Sequence, residues 1–223
     1  MTECLKKIWQ RARSPEQKQE RVTAILAAAA RLYDRCSWDE ITLVEIGQEA
    51  GFTRSNLYKY FQTKEEIFLE LMKEDLSAWR RQMEERLAGL TPDTSAFAAA
   101  WVELLLANRR MTKFMAILAT TLERNVPIAS LAAYKIHLLA EFTRVAEAIM
   151  GLFPGLNLEQ VTTFIWAHFA YSVGMSHLLA PSDLQQRAMA EAGIHCSEKM
   201  LRTVFIEGIA ALFDRFCPRA GGR

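Results

Sequence analysis

An all-α protein, with a three-helix N-terminal head followed by a larger helical bundle, is what this 223-residue sequence predicts. Three observations carry that prediction. Ala, Leu, Glu, Gln, Arg and Met recur throughout and are interrupted by only 10 Gly and 6 Pro, a composition that favours helix. No run alternates β-branched residues in the period of two that a strand needs. The interruptions also coincide with residues that start and stop helices. With 51% apolar residues the chain has material for one large or two small cores, and 24% charged and 10% aromatic residues set it apart from disordered segments. No stretch of about 18 uninterrupted apolar residues exists, because the longest, Ala96 to Ala107, is broken by Glu103, so no membrane span is expected. The first residues, Met1 to Arg11, lack the apolar core and small-residue cleavage site of a secretory signal, and a cytosolic address is expected.

The elements follow in order. Ser14-Pro15-Glu16-Gln17 joins an N-cap Ser, a Pro at the first helical position and a Gln three residues after the cap, predicting a helix from about Pro15 to Cys36. Its apolar residues Val22, Ile25, Leu26, Ala29 and Leu32 recur at intervals of three and four, so one face is buried. Thr42-Leu-Val-Glu45 is a second capping box, opening a short helix that stops at Gly51, and Thr53 caps another through about Tyr60. Thr63-Lys-Glu-Glu66 is a third capping box, from which the stripe Ile67, Phe68, Leu71, Met72, Leu76, Trp79, Met83 and Leu87 runs without a breaker. That helix spans about 24 residues, roughly 36 Å, enough to link two domains. Further helices are expected over about Ser95–Ala107, Met111–Arg124, Ile128–Leu152, Leu158–Leu179 and Ser197–Phe216, with room for a short one between Pro181 and Cys196. The predicted division is residues 1–64 and 65–223, joined by the long helix 64–87.

Two short helices meeting at Ala50-Gly51-Phe52-Thr53 have the form of a helix-turn-helix over 42–61, in which Gly makes the turn and the second helix offers its N-terminal residues to base edges. Thr53, Arg54, Ser55, Asn56, Tyr58, Lys59 and Tyr60 crowd hydrogen-bonding types into less than three turns, while Leu57 and Phe61, four apart, face inward. At these residues the sequence resembles the TetR family of transcriptional regulators: the stretch from Thr42 to Phe68 matches that family's motif almost end to end, within a resemblance covering about residues 20 to 70. Gly47, where Ala is usual, and Phe52, where Val is usual, depart from it. The resemblance implies a homodimeric, ligand-responsive repressor on a palindromic operator in double-stranded DNA. It also implies a phosphate-binding role for Lys64.

The residue chemistry supports separate roles. Thr42 and Thr53 lie at helix N-termini, where hydroxyl, backbone N–H and helix dipole together suit a phosphate. Arg54, Ser55 and Asn56 are the candidates for reading bases, since Arg matches the guanine edge and Asn the adenine edge. Tyr58, Lys59 and Tyr60 suit phosphates that fix register. The total charge of +1 at first argues against a nucleic-acid partner, yet it divides unevenly. Residues 1–64 carry 11 Lys+Arg against 8 Asp+Glu, a net of +3, and the remainder carries 16 against 18, a net of −2. A basic arm (Lys6, Lys7, Arg11, Arg13) precedes the first helix; it is either a minor-groove or backbone contact or a solubilising end.

In the second region Trp101, Phe114, Phe142, Phe164, His168, Tyr171 and Met175 are candidates for an apolar effector pocket, the last four following i, i+4, i+7, i+11 on one helix face. A satisfied core histidine is the competing reading of His168. Val173, Gly174, Gly208, Ala211 and Leu212 are candidates for a dimer interface, because small residues beside large apolar ones let helices of two copies approach as a four-helix bundle. Half-sites are then expected about one DNA turn, on the order of 34 Å, or a multiple of it apart. No GxSxG, HExxH, P-loop or dinucleotide fingerprint occurs, so no enzymatic activity and no cofactor are expected. Cys4, Cys36, Cys196 and Cys217 are too dispersed for a CxxC site and are read as thiols, with no metal expected; a zinc or thiol sensor drawing on His177, His195, Cys196 or Cys217 stays open. Two other readings also remain at this stage. One is a DNA-binding regulator without a small-molecule ligand, and the other a helical scaffold with a degenerate head.

Overall fold

The computed structural model describes residues 14–218; the basic arm and Cys4 lie outside them. Among the described residues there are ten α-helices and no strand: α1 (Pro15–Arg35), α2 (Leu43–Ala50), α3 (Arg54–Leu57), α4 (Lys64–Ala88), α5 (Thr94–Ala107), α6 (Arg109–Ile117), α7 (Ile128–Leu152), α8 (Leu158–Leu179), α9 (Asp183–Glu191) and α10 (Glu198–Phe216). No helix is long and apolar enough to cross a membrane. Two compact units emerge, one made of residues up to 73 together with 119–134, the other of 74–118 and everything from 135 on.

In the first unit, local capping sets the boundaries. The Ser14 hydroxyl accepts from Gln17 N and the Gln17 side chain accepts from Ser14 N, with Pro15 opening the helix. Such a reciprocal cap is worth about 1 kcal/mol. Thr42 and Glu45 repeat the arrangement on α2, which ends at Gly51 in the left-handed conformation, φ 75°. Thr63 and Glu66 do so at the start of α4. Ile25, Leu26, Ala28 and Ala29 of α1, Ile41, Ile46 of α2, and Ile67, Phe68 and Leu71 of α4 are buried together with Leu57 and Phe61. Phe68 meets Tyr33 and Trp38 ring to ring at 5.6 and 4.9 Å. Residues 119–134 join this unit rather than the bundle: Ser130 Oγ donates to Glu66 Oε1 at 2.6 Å, and Leu122 and Tyr134 are fully buried. The sequence division at residue 64 gave no sign of this excursion, because it depends on a contact between residues 64 positions apart.

Three local differences from the sequence expectation have physical causes. α3 is one turn only; residues 58–60 continue as hydrogen-bonded turns rather than helix. The Thr53 hydroxyl makes no capping bond and lies 3.3 Å from the Ser55 hydroxyl instead. The expected helix over 111–124 starts earlier, at Arg109, and widens into a π-turn at Leu118–Leu122.

The second unit is a bundle in which α10 packs on α5 and α8, and α6 on α8. Its centre is aromatic. Phe97 lies 4.5 Å from Phe213 and 5.6 Å from Phe153, ring centre to ring centre, and Trp101 lies 5.2 Å from Trp79. Burying each such ring contributes about 2–3 kcal/mol. Polar links tie the helices at the edges: Arg110 forks onto Asp75 at 2.8 and 2.6 Å, and Thr94 Oγ1 donates to Asp214 at 2.9 Å. Arg80, only 5% exposed, is clasped by Glu141 and Glu84, and Ser77 Oγ donates to Glu141 at 2.7 Å.

Candidate nucleic-acid interface

The short α2–Gly51–α3 hairpin is held from below. Leu57 and Phe61 are buried, as their spacing requires, and Phe52 is buried beside them. Phe52 N donates to Gly47 O at 2.7 Å, which draws α2 and the turn together, and a Cβ on Gly47 would stand only 3.3 Å from Phe52 O. Glycine at this position therefore lets the two backbones meet. With the apolar residues anchored, Thr53, Arg54, Ser55, Tyr58 and Lys59 are exposed on the opposite side and Asn56 and Tyr60 are half-exposed. Thr42, at the start of α2, is also exposed.

Within this row the side chains pair with one another. Arg54 Nη2 donates to the Tyr58 hydroxyl at 3.2 Å, with the guanidinium 5.5 Å from the ring centre. Lys59 Nζ donates to Asn56 Oδ1 at 2.8 Å. Arg31 and Arg35 both converge on Glu49, holding its carboxyl below the usual range through the Arg31 and Arg35 hydrogen bonds, so two of the head's cations are already paired.

Lys64, at the start of α4, also has partners within the head. Its ammonium donates to Trp38 O at 2.7 Å and Ile41 O at 2.8 Å and sits 4.3 Å from the Trp38 ring. Two of its three N–H bonds therefore fasten the 3₁₀ turn at Trp38–Glu40 to the start of α4. No sequence signal at Trp38 marked this, since the partners are 26 and 23 residues away. Lys64→Ala is expected to lower stability by about 2 kcal/mol, because two carbonyls lose a charged donor, and to weaken binding to every DNA sequence alike. Denaturant melts beside salt-dependent duplex binding would separate the two effects; unchanged stability would contradict this placement.

Of the interior candidates, the second unit brings together Trp101, Phe164 and His168, with ring centres 5.4, 4.8 and 5.6 Å apart pairwise. Met175 is buried on the same face of α8, and Phe114 is buried on α6. Burial depresses the His168 imidazole to about 4, so the ring is neutral. Two candidates do not join them. The Tyr171 hydroxyl donates to Val204 O at 2.9 Å, turning the ring onto α10, and Phe142 is half-buried with its ring 6.4 Å from Trp166, which is 59% exposed. Among the interface candidates, Gly174 and Ala211 are exposed and Val173 and Leu212 half-exposed. Gly208 is used inside the chain: a Cβ there would stand 2.2 Å from the Tyr171 hydroxyl oxygen. Its lack of a side chain accommodates Tyr171. Among the described residues no three His, Cys, Asp or Glu side chains converge as a metal site would require. Trp79, read from the sequence only as part of the apolar stripe of α4, and Ser172, not singled out there, each leave a buried polar atom unpartnered. Ser172, four residues after His168, could have been found from that spacing.

Comparison with known proteins decides the family. Residues 25–71 match the family model of bacterial regulatory proteins, tetR family, and residues 73–214 match the model of the tetracyclin repressor-like C-terminal domain. The chain belongs to the TetR family. Among curated relatives, the uncharacterized HTH-type transcriptional regulator YfiR of Bacillus subtilis is 30% identical over 70 residues, 31% of this chain and 34% of its own length. The chain thus spans about a third of the length of the curated relative it matches. Among solved structures, Thermus thermophilus FadR in complex with lauroyl-CoA covers 90% of this chain and all of its own at 16% identity, TM-score 0.59. A TetR regulator from Rhodococcus sp. RHA1 covers 92% and 100% at 15% identity, TM-score 0.57. Both share the TetR fold with this chain.

Proposed function

We propose that the chain is a ligand-responsive transcriptional repressor that binds a palindromic operator in double-stranded DNA as a homodimer and acts in the cytoplasm. The observation that carries this reading is the exposed row from Thr53 to Lys59 standing on buried Leu57 and Phe61 after the Gly51 turn. That row sits in a chain matched by TetR-family models over both halves. In this reading Arg54, Ser55 and Asn56 meet base edges. Thr42, Thr53, Tyr58, Lys59 and Tyr60 position the head on phosphates, joined by the remaining N–H of Lys64. The helix-turn-helix of 42–61 carries DNA binding, and the chain after residue 64 carries effector binding and dimerisation.

One half-site offers few contacts, so affinity requires two heads on one duplex. Support for a second copy comes from α8 and α10, where Trp166, Leu178, Met200 and Val204 are 59, 56, 45 and 45% exposed beside Val173, Gly174, Ala211 and Leu212. Apolar side chains left in water over two helices favour an isologous contact. Support for an effector comes from the FadR structure, whose bundle fold is shared and which holds lauroyl-CoA. By linkage, an effector that weakens operator binding must itself be bound more weakly by the operator complex, by the same factor. Selection of bound sequences from random duplex DNA tests the reading. The expected product is a palindrome whose half-sites lie about one turn or a multiple of it apart. A single asymmetric half-site, or no enrichment, would overturn it.

A further inference from the structure

Four polar side-chain atoms in the interior of the second unit have no well-formed hydrogen-bond partner among the described residues: Trp79 Nε1, Trp101 Nε1, Ser172 Oγ and His168 Nδ1, the last with only the Phe164 and Ile165 carbonyls of its own helix beside it. Each residue is at least 97% buried. They are neighbours. Trp79 and Trp101 meet edge to face at 5.2 Å, Trp101 and His168 at 4.8 Å, and Ser172 lies one turn beyond His168 on the same face of α8. Leaving one buried polar atom unmade is costly, and native interiors rarely tolerate it. Four together are more than packing accounts for, and point to a guest that supplies the partners.

The chemistry of the four atoms narrows that guest. Indole N–H groups only donate, so the guest must present acceptor oxygens or nitrogens. No charged side chain belongs to the cluster, and the buried charges of this unit, Arg80 and Glu141, are already paired with each other. A charged guest would lie there without a counter-ion at prohibitive cost. The surrounding walls are the rings of Phe97 and Phe164, which suit an apolar, planar body. We propose that Trp79, Trp101, His168 and Ser172 form the recognition site for a small uncharged effector, with an apolar cyclic body and at least one hydrogen-bond-accepting oxygen. The inference rests on the ligand-responsive reading above and deepens it by naming the effector's chemical class. The neutral state of His168, set by burial, agrees with an uncharged guest.

Four probes of similar size and different polarity test it on the full chain: acetophenone, ethylbenzene, benzoate and 1-phenylethylammonium, each followed by thermal melting at fixed protein concentration. Acetophenone is expected to raise the melting temperature in a dose-dependent way and to bind at least tenfold more tightly than the other three. Ser172→Ala is expected to weaken acetophenone binding several-fold. It is also expected to raise the melting temperature of the ligand-free protein by about 2–4 °C, since it removes an unsatisfied buried hydroxyl. Equal binding of ethylbenzene would overturn the polar recognition, and preference for benzoate or the ammonium would overturn the neutrality of the effector. Absence of any acetophenone binding, or a ligand-free Ser172→Ala protein that melts lower, would overturn the site. Operator binding measured on the same samples distinguishes the outcomes. If it persists while the probes fail, only this inference falls; if it is absent, the regulatory reading falls with it.

Discussion

Arg54→Ala and Asn56→Ala are each expected to reduce operator affinity by about 2–6 kcal/mol, on the order of 30- to 10,000-fold, and to relax sequence preference at one base pair per half-site. A bidentate contact to a base edge is worth about 1–3 kcal/mol, and in a symmetric dimer every substitution removes it twice. Both side chains already have partners in the head, Arg54 with Tyr58 and Asn56 with Lys59, so the gain on binding is what remains after those contacts are given up. Lys59→Ala is therefore expected to act differently. It frees Asn56 Oδ1 for a base while losing a phosphate contact, so selectivity between operator and random DNA should hold or rise while absolute affinity falls, and the salt dependence should flatten by about two ions, one per head. Competition binding between operator and scrambled duplexes at several salt concentrations measures all three. Uniform loss across sequences for Arg54→Ala and Asn56→Ala would show that they hold the backbone rather than read bases.

Glu141→Gln is expected to destabilise the protein by about 3 kcal/mol. It removes the carboxylate charge facing the Arg80 guanidinium, 5% exposed, and turns one of its two acceptors into an N–H donor, leaving Glu84 as its remaining carboxylate, while the Gln oxygen still accepts from Ser77. Replacing both members, Arg80→Met with Glu141→Leu, is expected to cost much less, because no buried charge is left unpaired. The pair also makes stability sensitive to acid. Burial alone would raise the Glu141 carboxyl, but its hydrogen bonds from Ser77 and Arg80 and the Arg80 charge outweigh this and hold it below the ordinary 4.5. A depressed carboxyl contributes in full above its unfolded value and loses that contribution as pH falls through its folded value. The wild-type protein should thus lose stability below about pH 4.5 more steeply than Glu141→Gln. Urea melts across pH 3 to 7 measure the difference; parallel curves would place the carboxyl's importance elsewhere.

Helix boundaries and the head were legible in the sequence because they rest on contacts within four residues. Ser14 with Gln17, Thr42 with Glu45 and Thr63 with Glu66 bond as their spacing demands, and Gly51 turns where a left-handed residue is needed. The burial of Leu57 and Phe61, and the exposure of Arg54, Ser55 and Lys59 above them, follow from the same periodicity. Long-range pairings were not legible. Nothing near Lys64 announces the carbonyls of Trp38 and Ile41, and nothing near Gly208 announces Tyr171, 37 positions earlier. Identical local patterns would serve a phosphate contact or a staple, a dimer seam or a packing notch.

The sequence by itself therefore determined an all-helical chain with a helix-turn-helix head and an inward row of aromatics in the bundle, since capping and period are properties of a few adjacent residues. Only the tertiary structure decided which polar atoms of the bundle are satisfied. Tyr171 finds Val204 on α10, whereas Trp79, Trp101, His168 and Ser172 are brought together from α4, α5 and α8 with polar atoms lacking well-formed partners. Hydrogen-bond satisfaction is a property of what surrounds an atom in space, and that surrounding is assembled from segments the local sequence does not contain.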